Sequence, residues 1–202
     1  MYIPSFNKFE SEQEAISFMQ RYSFATIVTS NNEVPVATHL PFIIEQRDDK
    51  LVLSSHFAKA NPQATGIEGK NALVIFTEPH AYISPANYEK EANVPTWNYL
   101  AVHAYGKAAL LTDTADLLAR TIDNYEENYL QQWNNLPDDY KQKMMKGIVG
   151  FEIIVDDLQA KKKLSQNRSE QEKENIINTL SKSTNTTDNE IAEYMKLIKP
   201  KQ

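Results

Sequence analysis

Several stretches of the chain gather side chains able to hold an anion or to flank a flat ring. In Ala37-Thr38-His39-Leu40-Pro41-Phe42 two polar residues interrupt what otherwise reads as a buried strand. An unpaired buried polar group costs about 1–3 kcal/mol, so Thr38 and His39 either meet a ligand or are satisfied by backbone groups in a core. Further on, Ser54-Ser55-His56 runs into Phe57-Ala58-Lys59-Ala60-Asn61-Pro62-Gln63. Hydroxyls at Ser54 and Ser55, a ring donor at His56 and the Lys59 ammonium, gathered at a strand-to-turn junction, suit a phosphate held by charge-assisted hydrogen bonds. A capped turn explains Ser54, Ser55 and Asn61 equally well, but not the coincidence of His56 with Lys59. Pro79-His80-Ala81-Tyr82-Ile83-Ser84-Pro85 and Val94-Pro95-Thr96-Trp97-Asn98-Tyr99 offer aromatic walls tipped with donors, which fit a ring-shaped ligand, a core or an interface between copies. Last, Lys163-Leu164-Ser165-Gln166-Asn167-Arg168 is polar at five of its six positions. It is the least core-like of these clusters, and it reads as a solvated helix start in which Asn167 could cap the helix and Arg168 pair with Glu170 or Glu172.

Other chemistries find no footing. With no cysteine there is no disulfide, thiolate nucleophile, iron-sulfur cluster or Cys-type zinc site. The four histidines, His39, His56, His80 and His103, show no metal-binding spacing, so no metal is expected, although a zinc or haem site assembled in space stays open. The acidic pairs Glu126-Glu127, Asp138-Asp139 and Asp156-Asp157 are adjacent and point apart, and no GxSxG, GxGxxG or P-loop pattern occurs. The formal charge of -6 is opposite in sign to the footprint of a DNA-binding protein. Direct DNA contact would need a local basic patch, for which Lys161-Lys162-Lys163 with Arg168 is the candidate. No run of apolar residues is long enough for a membrane helix and the first residues do not read as a signal peptide, so a cytoplasmic protein without membrane contact is expected.

The elements that must position these residues can be read from periodicity. Ser11 and Glu14 form a capping-box pattern ahead of a helix over about Ser11–Tyr22. Strand-like runs follow at Ser23–Thr29 and Val34–Ile44, hinged at Asn31-Asn32, then at Leu51–His56, Asn71–Thr77 and His80–Ser84, and as a long strand over Trp97–Leu111. A short helix is expected at Ala64–Ile67 and a loop over Pro85–Pro95. Helical patterns at Thr114–Tyr129 and Pro137–Met145 precede a late strand at Gly147–Leu158 and two polar helices at Arg168–Ser181 and Asp188–Ile198. Strands bundled early and closed by a late one fit a small antiparallel barrel, in a mainly β chain with helices (α+β).

Taken together, these segments resemble the PaiB family, FMN-binding split-barrel proteins acting as negative regulators of transcription in protease synthesis and sporulation. The resemblance spans nearly the whole chain. It rests on Tyr22-Ser23-Phe24-Ala25-Thr26, Ala37-Thr38-His39-Leu40-Pro41, His56 with Ala60-Asn61-Pro62-Gln63, the Pro79–Pro85 and Val94–Tyr99 stretches, Gly147-Ile148-Val149-Gly150-Phe151-Glu152 and Lys163–Arg168. It implies a six-stranded antiparallel split β-barrel over 1–168, with a helical insertion at 113–146 and a C-terminal helical extension over 169–202. It also implies a homodimer with FMN in a cleft between subunits. Thr38 and His39 would face the ring and ribityl chain, and Ser54, Ser55, His56, Lys59 and Asn61 would surround the phosphate. Trp97, Asn98, Lys163, Gln166 and Arg168 would come from the partner to close the ring end. Relatives of the pyridoxamine-phosphate-oxidase type use an arginine and lysine cluster at the phosphate, whereas here Lys59 is the clear cation. The same pocket allows a flavin-dependent reductase or oxidase, and more distantly a haem-binding barrel. An acidic regulator would then work through a small-molecule effector or a protein partner rather than through tight operator binding.

Overall fold

The computed structural model describes residues 1–198. Helix α1 (Glu12–Arg21) is followed by strands β1 (Phe24–Asn31), β2 (Val34–Pro41), β3 (Ile43–Arg47), β4 (Lys50–Ala58), β5 (Asn71–Ile83) and β6 (Thr96–Leu110). Helices α2 (Thr114–Asn135) and α3 (Asp138–Met145) lead to β7 (Ile148–Lys163), and α4 (Glu170–Leu180) and α5 (Thr186–Lys196) complete the order. The antiparallel class and the early strands are as expected, but the sheet has seven strands rather than six, in the order β2-β1-β5-β6-β7-β4-β3, and its ladder is not closed.

The extra strand comes from the expected run Val34–Ile44, which breaks at Phe42. Up to Pro41 the chain pairs with β1, Phe24 opposite Pro41, and from Ile43 onward it pairs with β4, Ile43 opposite Ser54. Phe42 alone carries it from one edge of the sheet to the other, its N–H donating to Ser23 O at 2.9 Å. Each of the two hairpins closes on two residues at positive φ, Asn32 (48°) with Glu33 (66°) and Asp48 (49°) with Asp49 (59°). That is the handedness that matches the twist of two-residue hairpins. Conversely, Pro79 does not divide the next stretch: β5 runs on through it to Ile83, and β7 likewise continues past Leu158 to Lys163. The short helix expected at Ala64–Ile67 is instead a 3-10 turn over Pro62–Ala64, where Asn61 Oδ1 accepts from Gln63 N–H at 2.9 Å. α2 reaches Asn135, with Glu126 at non-helical angles inside it. The cap of α4 is Ser169, not Asn167: its hydroxyl accepts from Glu172 N–H, whose carboxylate accepts from Ser169 N–H.

The described chain divides into two compact units: Met1–Ala15, Thr77–Val102 and residues 159–198 form one, and Ile16–Phe76 with His103–Leu158 the other. The core of the second unit is aromatic. Phe42 lies edge-on to Phe76 and Phe151, with centroids at 6.0 and 6.2 Å, and Phe57 stacks on Phe151 at 4.7 Å. Helix α2 covers the opposite side of β3, β4 and β7, where Arg120 bonds Glu45 at 2.8 Å and Leu117 packs over Gly150. In the first unit α4 and α5 pack together, burying Ile176, Leu180, Ile191 and Met195, and Thr179 and Asn175 bond to the buried Asn87.

Gly106 sets the closest approach of β6 to β7, because a Cβ there would stand 2.2 Å from Ile154 O and 2.7 Å from Ile153 Cγ2. Gly106→Ala is therefore expected to lose about 1–3 kcal/mol or more, since the obstruction is backbone and cannot rotate away. Urea unfolding with an unchanged midpoint would show that the strands yield.

Candidate functional site

In the second unit the Thr38 and Asn61 side chains meet at a residue that sequence reading did not single out. Thr38 Oγ1 donates to Gln63 Oε1 at 2.7 Å and accepts from Asn61 Nδ2 at 3.0 Å. The buried Gln63 amide in turn donates to Thr29 Oγ1 at 3.0 Å and Val36 O at 3.3 Å. These bonds tie the turn after β4 to the β1–β2 hairpin, so Thr38 and Asn61 have protein partners of their own. Gln63 stood in the same motif, and its signal was an amide beside a proline-opened turn, too common to stand out. Ser55 is also engaged, donating to Pro41 O at 2.6 Å. Its neighbour Ser54 points to the other face of β4 and is fully buried, its hydroxyl without a hydrogen-bond partner among the described residues.

Two residues beyond Ser54, and so on its face of the strand, His56 is half-buried opposite Gly150. Its ring and the exposed ammonium of Lys59 have no protein hydrogen bond or ion pair among the described residues. Burial pushes the His56 pKa below its ordinary value of 6.5. His39 is exposed on β2, its Nδ1 2.8 Å from Thr26 Oγ1 and its ring stacked beside that of exposed Phe24.

The remaining candidates belong to the first unit. Lys163 donates to Thr96 Oγ1 and, at 2.8 Å, to Trp97 O. Asn98 is buried, accepting from Ser165 Oγ at 3.0 Å and facing Met195 Sδ. Gln166 folds back on its own loop, donating to Lys162 O and accepting from Leu164 N–H. Arg168 lies 3.8 Å over the Tyr88 ring, donates to Asn93 Oδ1 at 2.8 Å and stands 3.8 Å from Glu172, the ion pair that its position ahead of a helix suggests. Trp97 is half-exposed and touches the rings of His80 and Tyr82.

The lysine run is not a solvated basic patch. Alternation along β7 sends Lys162 to one side, where Glu14 at 2.7 Å and Glu10 at 3.3 Å hold it, and Lys161 and Lys163 to the other. Among the described residues no three His, Asp or Glu side chains gather as a metal set, and no helix is long and apolar enough to cross a membrane.

The family model described as "Putative FMN-binding domain" matches residues 1–157. "Protease synthase and sporulation protein PAI 2" of Bacillus subtilis (strain 168) is 42% identical over 201 residues, covering 97% of each chain. A protein of Emericella nidulans is 32% identical over 183 residues, covering 70% of this chain and 73% of its own. Among solved structures, the FAD and heme binding protein from Mycobacterium smegmatis superposes with a TM-score of 0.60 at 16% identity, covering 78% of this chain and 73% of that one. At such identity the likeness is one of fold.

The geometry sets two expectations. Gln63→Leu strands Thr38 and Thr29 and should cost about 1–3 kcal/mol in chemical denaturation; a neutral result would mean that the turn is held otherwise. His56, with its folded pKa below the unfolded value, binds fewer protons when folded, so stability falls as pH drops below about 6.5 until the folded ring protonates. His56→Gln should flatten that limb of a stability–pH curve relative to the parent protein, and parallel curves would refute the assignment.

Proposed function

The chain belongs to the FMN-binding family that includes the Bacillus subtilis sporulation protein, and from that membership we propose that it is a flavin-dependent regulator of protease synthesis and sporulation. FMN is its cofactor. The observation that supports the regulatory reading is 42% identity over 201 residues, covering 97% of both chains.

The residues fit the group at its phosphate end. Besides the fully buried Ser54, His56 and Lys59 are the members of the strand-end cluster without side-chain protein partners among the described residues, one a ring donor and the other a cation. A phosphate dianion satisfies both through charge-assisted bonds and draws a proton onto His56. Ser55, Thr38 and Asn61 support this cradle indirectly, because their bonds fix the strand and the turn on either side of it. His39, exposed on β2 beside Phe24, supplies a flat polar surface for the ring or ribityl chain. When bound, the flavin supplies electron transfer at its ring system, and the protein positions it. The half-exposed rings of Tyr82 and Trp97 are the face offered to a second copy, whose Trp97 and Asn98 segment, with Lys163, Gln166 and Arg168, closes the flavin from the partner side. Regulation then passes through occupancy of this site to another macromolecule in the cytoplasm. Direct operator binding is disfavoured by a charge of -6 and by the engagement of the lysine run inside the fold.

Saturating FMN should raise the melting temperature, and Lys59→Ala combined with His56→Ala should weaken binding by about 2–4 kcal/mol in a fluorescence titration. The His56 share should grow as pH falls, because the charged ring is the better partner. Wild-type affinity in the double variant would remove the phosphate assignment. Light scattering should give twice the chain mass. In cells, the FMN-blind variant should fail to restore the protease transcript level set by the parent chain; full restoration would separate regulation from flavin.

A further inference from the structure

A cavity of about 330 Å³ in the first unit opens between the N-terminal segment, residues 94–96 and the end of β7. That volume is at the lower end of the range for small-molecule sites. Its lining combines the cations Lys161, Lys163 and Arg168 with the apolar side chains of Tyr2, Phe6 and Val94.

The cations are poorly matched by anions. Lys161 is buried, at 8% exposure, and among the described residues its ammonium has neither a carboxylate nor a hydrogen-bond acceptor. Its neighbours are the rings of Tyr2 and Tyr99, centred 5.9 and 5.2 Å away. Lys163 shares that side of β7 and is held by neutral oxygens of Thr96 and Trp97, so burial first and then the charge of Lys161 lower its pKa. Glu172 stands opposite Arg168 at 3.8 Å and offsets one charge of the three. Asn7, also in the lining, is buried with its Oδ1 unpartnered.

A lysine buried along its length, lining a cavity and given no carboxylate among the described residues, is a place for an anionic partner. The apolar part of the lining decides what carries that charge. Tyr2 is 82% exposed, Val94 73% and Phe6 42%, an uncovered rim that an inorganic ion would leave in water. We propose that this cavity binds a small organic anion, its carboxylate or phosphate head on Lys161 and Lys163 and its apolar body against Tyr2, Phe6 and Val94. Such a ligand is the effector class that an acidic, flavin-binding regulator requires. The cavity shares Lys163 and Arg168 with the proposed flavin site, so it is tested through residues that have no part in that assignment, Lys161 and Val94.

The test is calorimetric titration of the full chain with benzoate and phenyl phosphate, each with and without saturating FMN, and with acetate and inorganic phosphate as heads lacking a body. Benzoate or phenyl phosphate should bind at least tenfold more tightly than its bare head, and the better of the two identifies the head group. Lys161→Met, which keeps the length and packing of the side chain, should weaken binding at least tenfold. Val94→Trp, a change at the exposed rim that fills the mouth without touching the core, should weaken it as much. Both variants should titrate FMN as the parent does, so loss of the anion with FMN binding intact concerns this cavity alone. No binding of either probe, undiminished binding in the two variants, or displacement of the probe by FMN would each overturn the proposal.

Discussion

One residue separates strands that lie at opposite edges of the sheet, and the second unit is organised around that fact. β2 ends at Pro41 and β3 begins at Ile43, so the edge strands must approach each other at Phe42 although no ladder joins them. The crossing is held from inside by the contacts of Phe42 with Phe76 and Phe151, and by the stacking of Phe57 on Phe151. Each such ring buries apolar surface worth about 1.5–3 kcal/mol, more than a surface turn could offer. It is held from outside by single hydrogen bonds, Phe42 to Ser23 and Ser55 to Pro41. His56 lies near the end of β4 and Lys59 just beyond it, so the position of both is inherited from this corner.

The parts of this arrangement that were legible in sequence are those governed by local rules. Asn31-Asn32 announced a hairpin, Ser11 and Glu14 announced a helix start, and Ser11 Oγ does accept the Glu14 N–H at 3.1 Å. Glu14 completes the cap by reaching Glu10 N–H, one residue before the position the pattern names. The break at Phe42 was not legible, since a buried phenylalanine followed by Ile43 and Ile44 has the same local preference inside a strand as at a corner; pairing partners distant in sequence decide. The two runs expected at Asn71–Thr77 and His80–Ser84 are a single strand for the same reason, since pairing carries β5 through Pro79. At the candidate site the residue types were visible but their allegiances were not. Thr38, Ser55 and Asn61 look the same in sequence whether they serve a ligand or the backbone beside them, and the hydrogen bonds tie Thr38 and Asn61 to the turn at Gln63 and Ser55 to Pro41.

Electrostatics follows a similar division. A run of three lysines reads as one basic patch only if the backbone is helical or irregular. On a strand the middle residue is delivered to Glu10 and Glu14, while its neighbours pass to the other face. An acidic chain thereby keeps cations in its interior, where solvent and salt screen them least.

The corner at Phe42 also governs the order in which the chain can be assembled on the ribosome. The β1–β2 and β3–β4 hairpins involve neighbours in sequence and can close as soon as they emerge. The free side of β4 has to wait for Ile154 to reach Val52 and for Phe151 to reach Ser55, about a hundred residues of synthesis later. Until then the hairpin that carries His56 exposes one unpaired edge and an aromatic flank, and the helical insertion arrives before the strand it will cover. Nascent chains of this protein thus present the hairpin that carries His56 half-built for most of translation, with Phe57 uncovered until Phe151 is made.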